Sequence, residues 1–376
     1  MITVRLMLTG GGTGGHVYPG LVVANAVRQM TEGETLWVGT SSGMECDIVR
    51  RSGLAFASIS AGALRGRSPF GLAVGASAAL LGFGQSMRIM RSFRPDVVLA
   101  TGGYVCVPVV LAARLSRIPT MLYLPDIIPG LAVRFLGRIV DRIAVTSGES
   151  RRHLPASKVI ITGYPVRSEL RSRDRDGARM ALGLPADEPV LLVLGGSRGA
   201  LTINNCLGAG LDRLLGIGHV VHACGVDHIE NLTRRRESLP SELKERYHLY
   251  PYLHDELADA MAASDLVVSR SGASVMGEYP AAGLPSILVP YPHAGAHQKH
   301  NADHLASHGA ARIVSNDDAR RGALVDLAAT MLENEDLLFT MAEASRRLDR
   351  PEAASTISKE LLSLRHESIT TRLGVA

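Results

Sequence analysis

The residues best suited by type and spacing to do chemistry fall in a few short stretches of this 376-residue chain. One is Val267-Val268-Ser269-Arg270-Ser271-Gly272-Ala273-Ser274-Val275-Met276-Gly277-Glu278. Two β-branched apolar residues run into a small, polar, glycine-bearing turn, after which Ala273, Val275, Met276 and Glu278 read as a helix beginning. A strand that empties into such a turn presents backbone N–H groups that have no helical partner. The positive end of the helix dipole adds to them, and the pair suits an anion such as a diphosphate. Glu278 is predicted about one and a half turns into the helix, facing back toward the turn. A carboxylate there would repel a phosphate, so it suits neutral hydroxyls such as a sugar diol. Together these residues describe a site for a nucleotide diphosphate; an ordinary strand–turn–helix corner with a surface Glu fits the same letters.

A second stretch is Gly10-Gly11-Gly12-Thr13-Gly14-Gly15-His16, which follows the β-rich run of residues 2–8. It satisfies G-x-G-x-x-G, but a dinucleotide site also wants an acidic residue ending the second strand. Here that strand ends Val38-Gly39-Thr40, and the first carboxylate after it is Glu45. The other reading is a loop bent sharply so that a substrate can approach its backbone, with His16 pointing into the site. Imidazole is the side chain best suited to take a proton near neutral pH; a packed or capping His16 is the alternative. A third stretch, Pro290 to Asn301, crowds His293, His297, Gln298, Lys299, His300 and Asn301 after a strand, with little to pack.

Other patterns are weaker. Asp174-Arg175-Asp176 has the D-x-D spacing of metal-dependent sugar transferases but lies in a charged run and reads as solvated surface. No set of residues has metal-ligand spacing, and the chain has no G-x-S-x-G, C-x-x-C or P-loop lysine. Cys46, Cys106, Cys206 and Cys224 read as reduced thiols packed as small hydrophobes. A net charge of +4 suits a phosphate-bearing ligand or an anionic membrane surface and is too small and scattered to point to nucleic acid; aromatics at 4% argue against base-stacking platforms. No signal peptide is read at the N-terminus, and no stretch reaches the ~20 apolar residues of a spanning helix. The nearest is Phe70 to Gly84, with Arg65 and Arg67 before it and Arg88, Arg91 and Arg94 after it. It reads either as a Gly/Ala-packed helix of the fold or as an apolar patch with a basic rim on an anionic bilayer.

These residues need elements to hold them. Short apolar strands at residues 2–8, 37–39, 97–100, 119–124 and 139–145 alternate with helical stretches, one from about Leu21 to Met30. This is the pattern of a parallel sheet covered on both faces. Gly163 to Arg179 reads as a charged linker, and the pattern restarts at Pro189 to Leu194 before Gly195-Gly196-Ser197-Arg198-Gly199. Further strands are expected near Val220, Leu249, Leu266, Ile287 and Ile313. The last helix is expected from about Glu352 to Leu364, with residues 365–376 loose. Two α/β halves, each opening with strand, glycine-rich turn and helix, would bring these turns to a cleft at the strands' carboxyl ends.

Five blocks, in order and over nearly the whole chain, resemble the MurG family, the bacterial glycosyltransferases of family 28. They are GGTGGHVYPG at 11–20 after Gly10, PDVVLATGGYVCVPVVLAA at 95–113, GYPVR at 163–167, GGSRGA at 195–200 with Asn204, and SRSGAS at 269–274 through PYP at 290–292, followed by HQKHNA at 297–302. The resemblance implies a GT-B architecture of two Rossmann-like doubly wound parallel-sheet domains facing a cleft. The first would span 1–165 plus a C-terminal helix of about 351–366, the second 166–350. It implies an inverting transfer of GlcNAc from UDP-GlcNAc to the 4-hydroxyl of the MurNAc of undecaprenyl-linked lipid I, giving lipid II for peptidoglycan. No metal or other cofactor is implied, and the enzyme would be cytoplasmic and peripheral on the inner face of the cell membrane. By position in the blocks, Thr13, Gly14, Gly15, Arg167, Ser197, Asn204, Leu253, Ser271, Gly272, Ala273, Glu278, His297 and Gln298 would serve the donor. Gly12, Thr13, Gly103, Tyr104 and Asp126 would lie on the acceptor side, with His16 and Asp126 catalytic. The chain departs from the family at Tyr123-Leu124-Pro125-Asp126, where His-Glu-Gln-Asn is usual, at Tyr164 for a usual Asn, and at Arg198 for a usual Gln. A related transferase with another lipid or secondary-metabolite acceptor, or a nucleotide-sugar-binding homologue without turnover, would carry the same donor residues.

Overall fold

In a parallel sheet covered by helices, strands are buried on both faces and read as continuous apolar runs. The computed structural model forms its strands from such runs; it describes residues 3–62, 69–196, 199–292 and 297–373. Arg65, Arg67, Ser197, Arg198 and residues 293–296 therefore lie outside the described residues. The chain divides into two compact units, Met1–Val166 with Arg350–Ala376, and Arg167–Asp349.

The first unit carries β1 (Leu6–Thr9), β2 (Thr35–Gly39), β3 (Ala55–Ser58), β4 (Val97–Ala100), β5 (Thr120–Leu124), β6 (Arg142–Val145) and β7 (Val159–Ile161). Their order is β3-β2-β1-β4-β5-β6-β7, and every pairing is parallel. From β1 the chain winds outward to β2 and β3, then returns to β4 on the other side of β1. The loops after β1 and β4 thus diverge from neighbouring strand ends, which is the place where open α/β sheets bind ligands. Helices α1 (Gly14–Met30), α2 (Met44–Arg51), α3 (Pro69–Phe93), α4 (Cys106–Leu115) and α5 (Leu131–Ile139) connect these strands.

The second unit repeats the plan with β8 (Val190–Leu194), β9 (His219–Ala223), β10 (Tyr247–Tyr250), β11 (Leu266–Ser269), β12 (Ser286–Leu288) and β13 (Ala311–Ile313). The order is β10-β9-β8-β11-β12-β13, again parallel throughout. Here the diverging loops are those after β8 and β11. The two parallel sheets, each flanked by helices, are the Rossmann-like pair expected of the fold class.

Several expectations from sequence are corrected. The first helix begins at Gly14, well before Leu21, so His16 is helical. Pro19 lies inside it and has no N–H for the Gly15 carbonyl. The Tyr164 hydroxyl donates to that carbonyl instead, at 3.4 Å. The charged run 171–179 is not a solvated linker: it holds helices Glu169–Ser172 and Arg175–Ala181. Arg179 is 1% exposed and donates to the carbonyls of Ala263, Pro185, Ala186 and Glu188 and to Asp265. A buried guanidinium is tolerated because its fork of donors is matched in this way. Asp174 does sit at the surface, as the cap of the second of these helices, accepting the Gly177 N–H at 2.9 Å. The last helix runs on from Ala353 to Leu373. It buries Ile357, Leu361 and Leu364. Its Glu360 and Glu367 pair with Arg142, and Arg365 donates to the Thr3 carbonyl. Helix α3 extends past Gly84 to Phe93 and has two characters. Ser86 and Met90 are buried, whereas Leu80 and Leu81 are 74% and 64% exposed. The four cysteines are unpaired; three are buried and Cys206 is half-buried.

Candidate functional site

In the first unit the loops after β1 and β4 are pressed together backbone to backbone. Gly11 N–H donates to the Gly102 carbonyl at 3.2 Å. A Cβ on Gly103, whose φ is +91°, would stand 2.6 Å from the Gly11 carbonyl oxygen. Only glycine permits this approach. The loop then turns through Gly12 and Thr13 into α1, and His16, half-buried, folds back over it. His16 Nδ1 lies 3.0 Å from the Gly11 carbonyl oxygen and 3.3 Å from Thr13 Oγ1. A carbonyl can only accept, so Nδ1 carries the ring proton and Nε2 keeps its lone pair in the neutral imidazole. The ring rests against Gly102, where a Cβ would come within 3.0 Å of Nε2.

Gly12, Thr13, Gly14, Gly15 and His16 after β1, Gly103 and Tyr104 after β4, and Asp126 after β5 therefore share one edge of one sheet. Gly12, Thr13 and Tyr104 are exposed, and Asp126 is half-buried. Asp126 lies close enough to the buried Tyr123 for its charge to help raise that phenol, after burial, the larger cause. Tyr123 donates or accepts at Thr146 Oγ1 (2.8 Å) and packs edge to face on Tyr164, with ring centroids 6.3 Å apart. Two of the positions where this chain departs from the family pattern are thus in contact with each other, and Tyr164 continues to the Gly15 carbonyl.

In the second unit the turn after β11 is a short 3₁₀ segment, Ala273–Met276, and the helix Glu278–Ala282 follows it. Glu278 therefore starts that helix and does not lie one and a half turns in. It is 9% exposed. Burial pushes its carboxyl up from the usual range, while the Arg167 charge and the Ser274 hydroxyl pull it back. Ser271 is fully buried, and its hydroxyl donates to the Gln298 carbonyl at 2.8 Å. Any hold of this residue on a ligand would be through its backbone. Asn301 donates to the Ser271 carbonyl, and the Gln298 side chain accepts the Tyr291 N–H at 2.9 Å. The turn after β11, the loop after β12 and the start of the helix His297–Ser307 are thereby tied into one assembly. Gly272 borders open space, Ala273 is 8% exposed and His297 is half-buried.

Leu253 is buried in the loop after β10. Asn204 is 2% exposed and faces inward: it donates to the Cys224 carbonyl at 2.8 Å and bonds His222 Nε2 at 3.1 Å. A Cβ on Gly199 would stand 2.1 Å from that same Cys224 carbonyl, so Asn204 anchors the backbone against which the glycine turn after β8 rests. Ser197 lies outside the described residues. Among the described residues no group of three or more His, Cys, Asp or Glu is placed to hold a metal ion.

One residue that sequence reasoning passed over is Glu45. It is 1% exposed, beneath the glycine-rich loop, and accepts the N–H groups of Gly12 and Thr40. Nothing in the letters singled it out: Gly39 and Gly43 precede it, and a second acid, Asp47, follows two residues later.

Two Rossmann-like units with glycine-rich turns at both switch points define a nucleotide-sugar type of architecture, and family profiles agree. The Glycosyltransferase family 28 N-terminal domain matches residues 6–145 and the Glycosyltransferase family 28 C-terminal domain residues 190–357. The chain belongs to the MurG family within this class. It is 39% identical to the UDP-N-acetylglucosamine–N-acetylmuramyl-(pentapeptide) pyrophosphoryl-undecaprenol N-acetylglucosamine transferase of Roseiflexus sp. (strain RS-1), over 94% of each chain. It is 41% identical to the transferase of the same name from Desulforudis audaxviator (strain MP104C), over 94% of this chain and 96% of that one. The crystal structure of Acinetobacter baumannii MurG superposes with a TM-score of 0.74 at 27% identity, covering 96% of this chain and 99% of the other.

The network around Asn204 makes stability depend on pH. His222 is buried between Asn204 and the Tyr247 hydroxyl, and burial pushes its imidazole down from 6.5 to about 3. Between those values the unfolded chain takes up a proton that the folded chain does not, so stability rises with pH across that window. The contribution is complete above pH 6.5 and is lost as pH falls toward about 3. His248, pushed down to about 4 by burial and then by the His219 and Arg236 charges, acts with the same sign. Urea midpoints should fall between about pH 7 and about pH 4, and His222→Gln should lose less over that range than the wild type. An equal loss in both would contradict the assignment.

Proposed function

We infer that this chain is an N-acetylglucosaminyltransferase that moves GlcNAc from UDP-GlcNAc to the 4-hydroxyl of the MurNAc of lipid I, forming lipid II. The observation that carries this reading is full-length identity of 39% and 41% to transferases of that name. The geometry supports the following roles. His16 Nε2, left with its lone pair by the Nδ1 bond to the Gly11 carbonyl, takes the proton of the acceptor hydroxyl. The acceptor oxygen attacks the anomeric carbon as the bond from that carbon to the diphosphate oxygen breaks, and the electron pair leaves with UDP. Attack from the face opposite the leaving group inverts the anomeric centre. Gly12, Thr13, Gly103, Tyr104 and Asp126 form the acceptor side.

For the donor, the backbone N–H groups at Gly272 and Ala273 would receive the diphosphate, with the open space beside Gly272 leaving room for it. Glu278 would accept from the ribose hydroxyls, and Arg167 holds charge beside it. Ser271, Gln298 and Asn301 brace the turn. With the leaving group stabilised by backbone donors, the reaction as proposed uses no metal. We also assign unit one a peripheral contact with an anionic bilayer. Leu80 and Leu81 of α3, Leu115 of α4, and Leu131 and Phe135 of α5 are exposed apolar residues on three successive helices, and Arg88 and Arg91, further along α3, are exposed. No helix of the described residues is long and apolar enough to cross a membrane.

Labelled GlcNAc should pass from UDP-GlcNAc to lipid I with a chelator present throughout. Failure to label lipid I, or transfer that stops on chelation and returns with Mg²⁺, would overturn the corresponding part of this reading. Glu278→Ala should weaken UDP-GlcNAc binding, because a diol loses a charged acceptor worth about 1.5–3 kcal/mol. Calorimetry showing wild-type affinity would remove Glu278 from the donor site.

A further inference from the structure

The Gly11–Gly12 peptide unit is held from both ends. Its N–H, on Gly12, donates to Glu45 Oε2 at 3.2 Å. Its C=O, on Gly11, accepts from His16 Nδ1 at 3.0 Å. The two groups belong to one planar, trans unit and point in opposite directions. Fixing the N–H on one side therefore aims the carbonyl at the imidazole on the other. The carboxylate is itself fixed: Oε1 accepts both the N–H (3.0 Å) and the hydroxyl (2.6 Å) of Thr40. The pocket around it is shaped by missing side chains. A Cβ on Gly11, Gly39 or Gly43 would come within 2.6, 2.8 or 2.2 Å of Glu45 atoms. Glu45 is 1% exposed and lies in the first turn of α2, where the dipole favours a negative charge.

We propose that Glu45 is a positioning residue for His16, acting through the Gly11–Gly12 peptide. A carboxylate that accepts the N–H polarises the peptide and makes its carbonyl a stronger acceptor for Nδ1–H. The arrangement does for His16 what a directly bonded carboxylate does for a catalytic imidazole: it selects the tautomer and the ring orientation, and it favours the imidazolium that forms when Nε2 takes a proton. One peptide unit stands between the two side chains. The proposal rests on His16 being the base.

Glu45→Gln tests it with almost no change of shape. The amide has a single oxygen, and in the orientation that keeps both Thr40 contacts on it the new NH₂ faces the Gly12 N–H. The loop contact is removed while the Thr40 contacts stay. Turnover with lipid I should fall about tenfold to a hundredfold, the rate equivalent of losing one hydrogen bond to a charged group. UDP-GlcNAc affinity by calorimetry should stay at the wild-type value. In ¹⁵N-histidine spectra the His16 ring should move from one tautomer toward a mixture of two. Wild-type turnover, or lowered turnover with unchanged ring nitrogens, would overturn the proposal. If Glu45→Gln does not fold, Thr40→Val loosens the same carboxylate by removing the hydroxyl contact; it should shift the ring nitrogens in the same direction, and no shift would count against the proposal. His16→Ala separates the two levels of the argument. If it keeps wild-type turnover, the base assignment fails, while the ring-nitrogen response of the Glu45 variant still judges the linkage by itself.

Discussion

The structure of the first unit depends on one close approach, that of the loops after β1 and β4. These strands are neighbours in the sheet, and the chain leaves their carboxyl ends in opposite directions. The loops can meet only where side chains are missing: a Cβ on Gly10 would stand 1.9 Å from Thr101 Oγ1, and one on Gly103 2.6 Å from the Gly11 carbonyl oxygen. Within that contact the Gly11 carbonyl faces His16 Nδ1 at 3.0 Å. Trp37 reinforces the floor beneath by donating from its indole to the Gly10 carbonyl at 3.2 Å. A chemical group on a helix thus takes its orientation from the backbone of a glycine loop, and that backbone from the order of strands in a sheet.

The second unit has the same strand order about its switch point but solves a different problem. Its side chains are spent inward, Ser271 on the Gln298 carbonyl and Asn204 on the Cys224 carbonyl, and this leaves backbone N–H groups as what the turn can offer a ligand. Glu278, held near Ser274 and Arg167, is the buried carboxylate beside that turn. The asymmetry fits a reaction in which one partner gives up a proton and the other departs as an anion: an oriented imidazole suits the first, and fixed backbone dipoles suit the second.

Much of this was legible in the sequence, for physical reasons. The central strands are short but continuous apolar runs buried on both faces, and the glycine-rich turns mark their ends. The strands that sequence reading missed, β3 and β7, are sheet edges. They are short and partly exposed: β3 reads only weakly apolar, and β7, though apolar, is three residues long. The start of α1 was hidden by Pro19, whose cost is met by a tyrosine far away in the chain. Arg179 looked like solvated charge because its partners are mostly backbone carbonyls, which sequence does not display. Glu45 was invisible for the same reason. Its role is set by the N–H groups of Gly12 and Thr40, and a carboxylate between strands carries no mark of what it accepts.

The central claim is that backbone geometry hands His16 to the reaction as a neutral imidazole protonated on Nδ1, with Nε2 open to take a proton. The ¹⁵N spectrum of ring-labelled histidine, with His16 assigned by substitution, measures this directly in the protein without ligand at a pH where the ring is neutral. The account predicts a protonated-type Nδ1 and an unprotonated-type Nε2. The opposite tautomer, or an even mixture of the two, would contradict it.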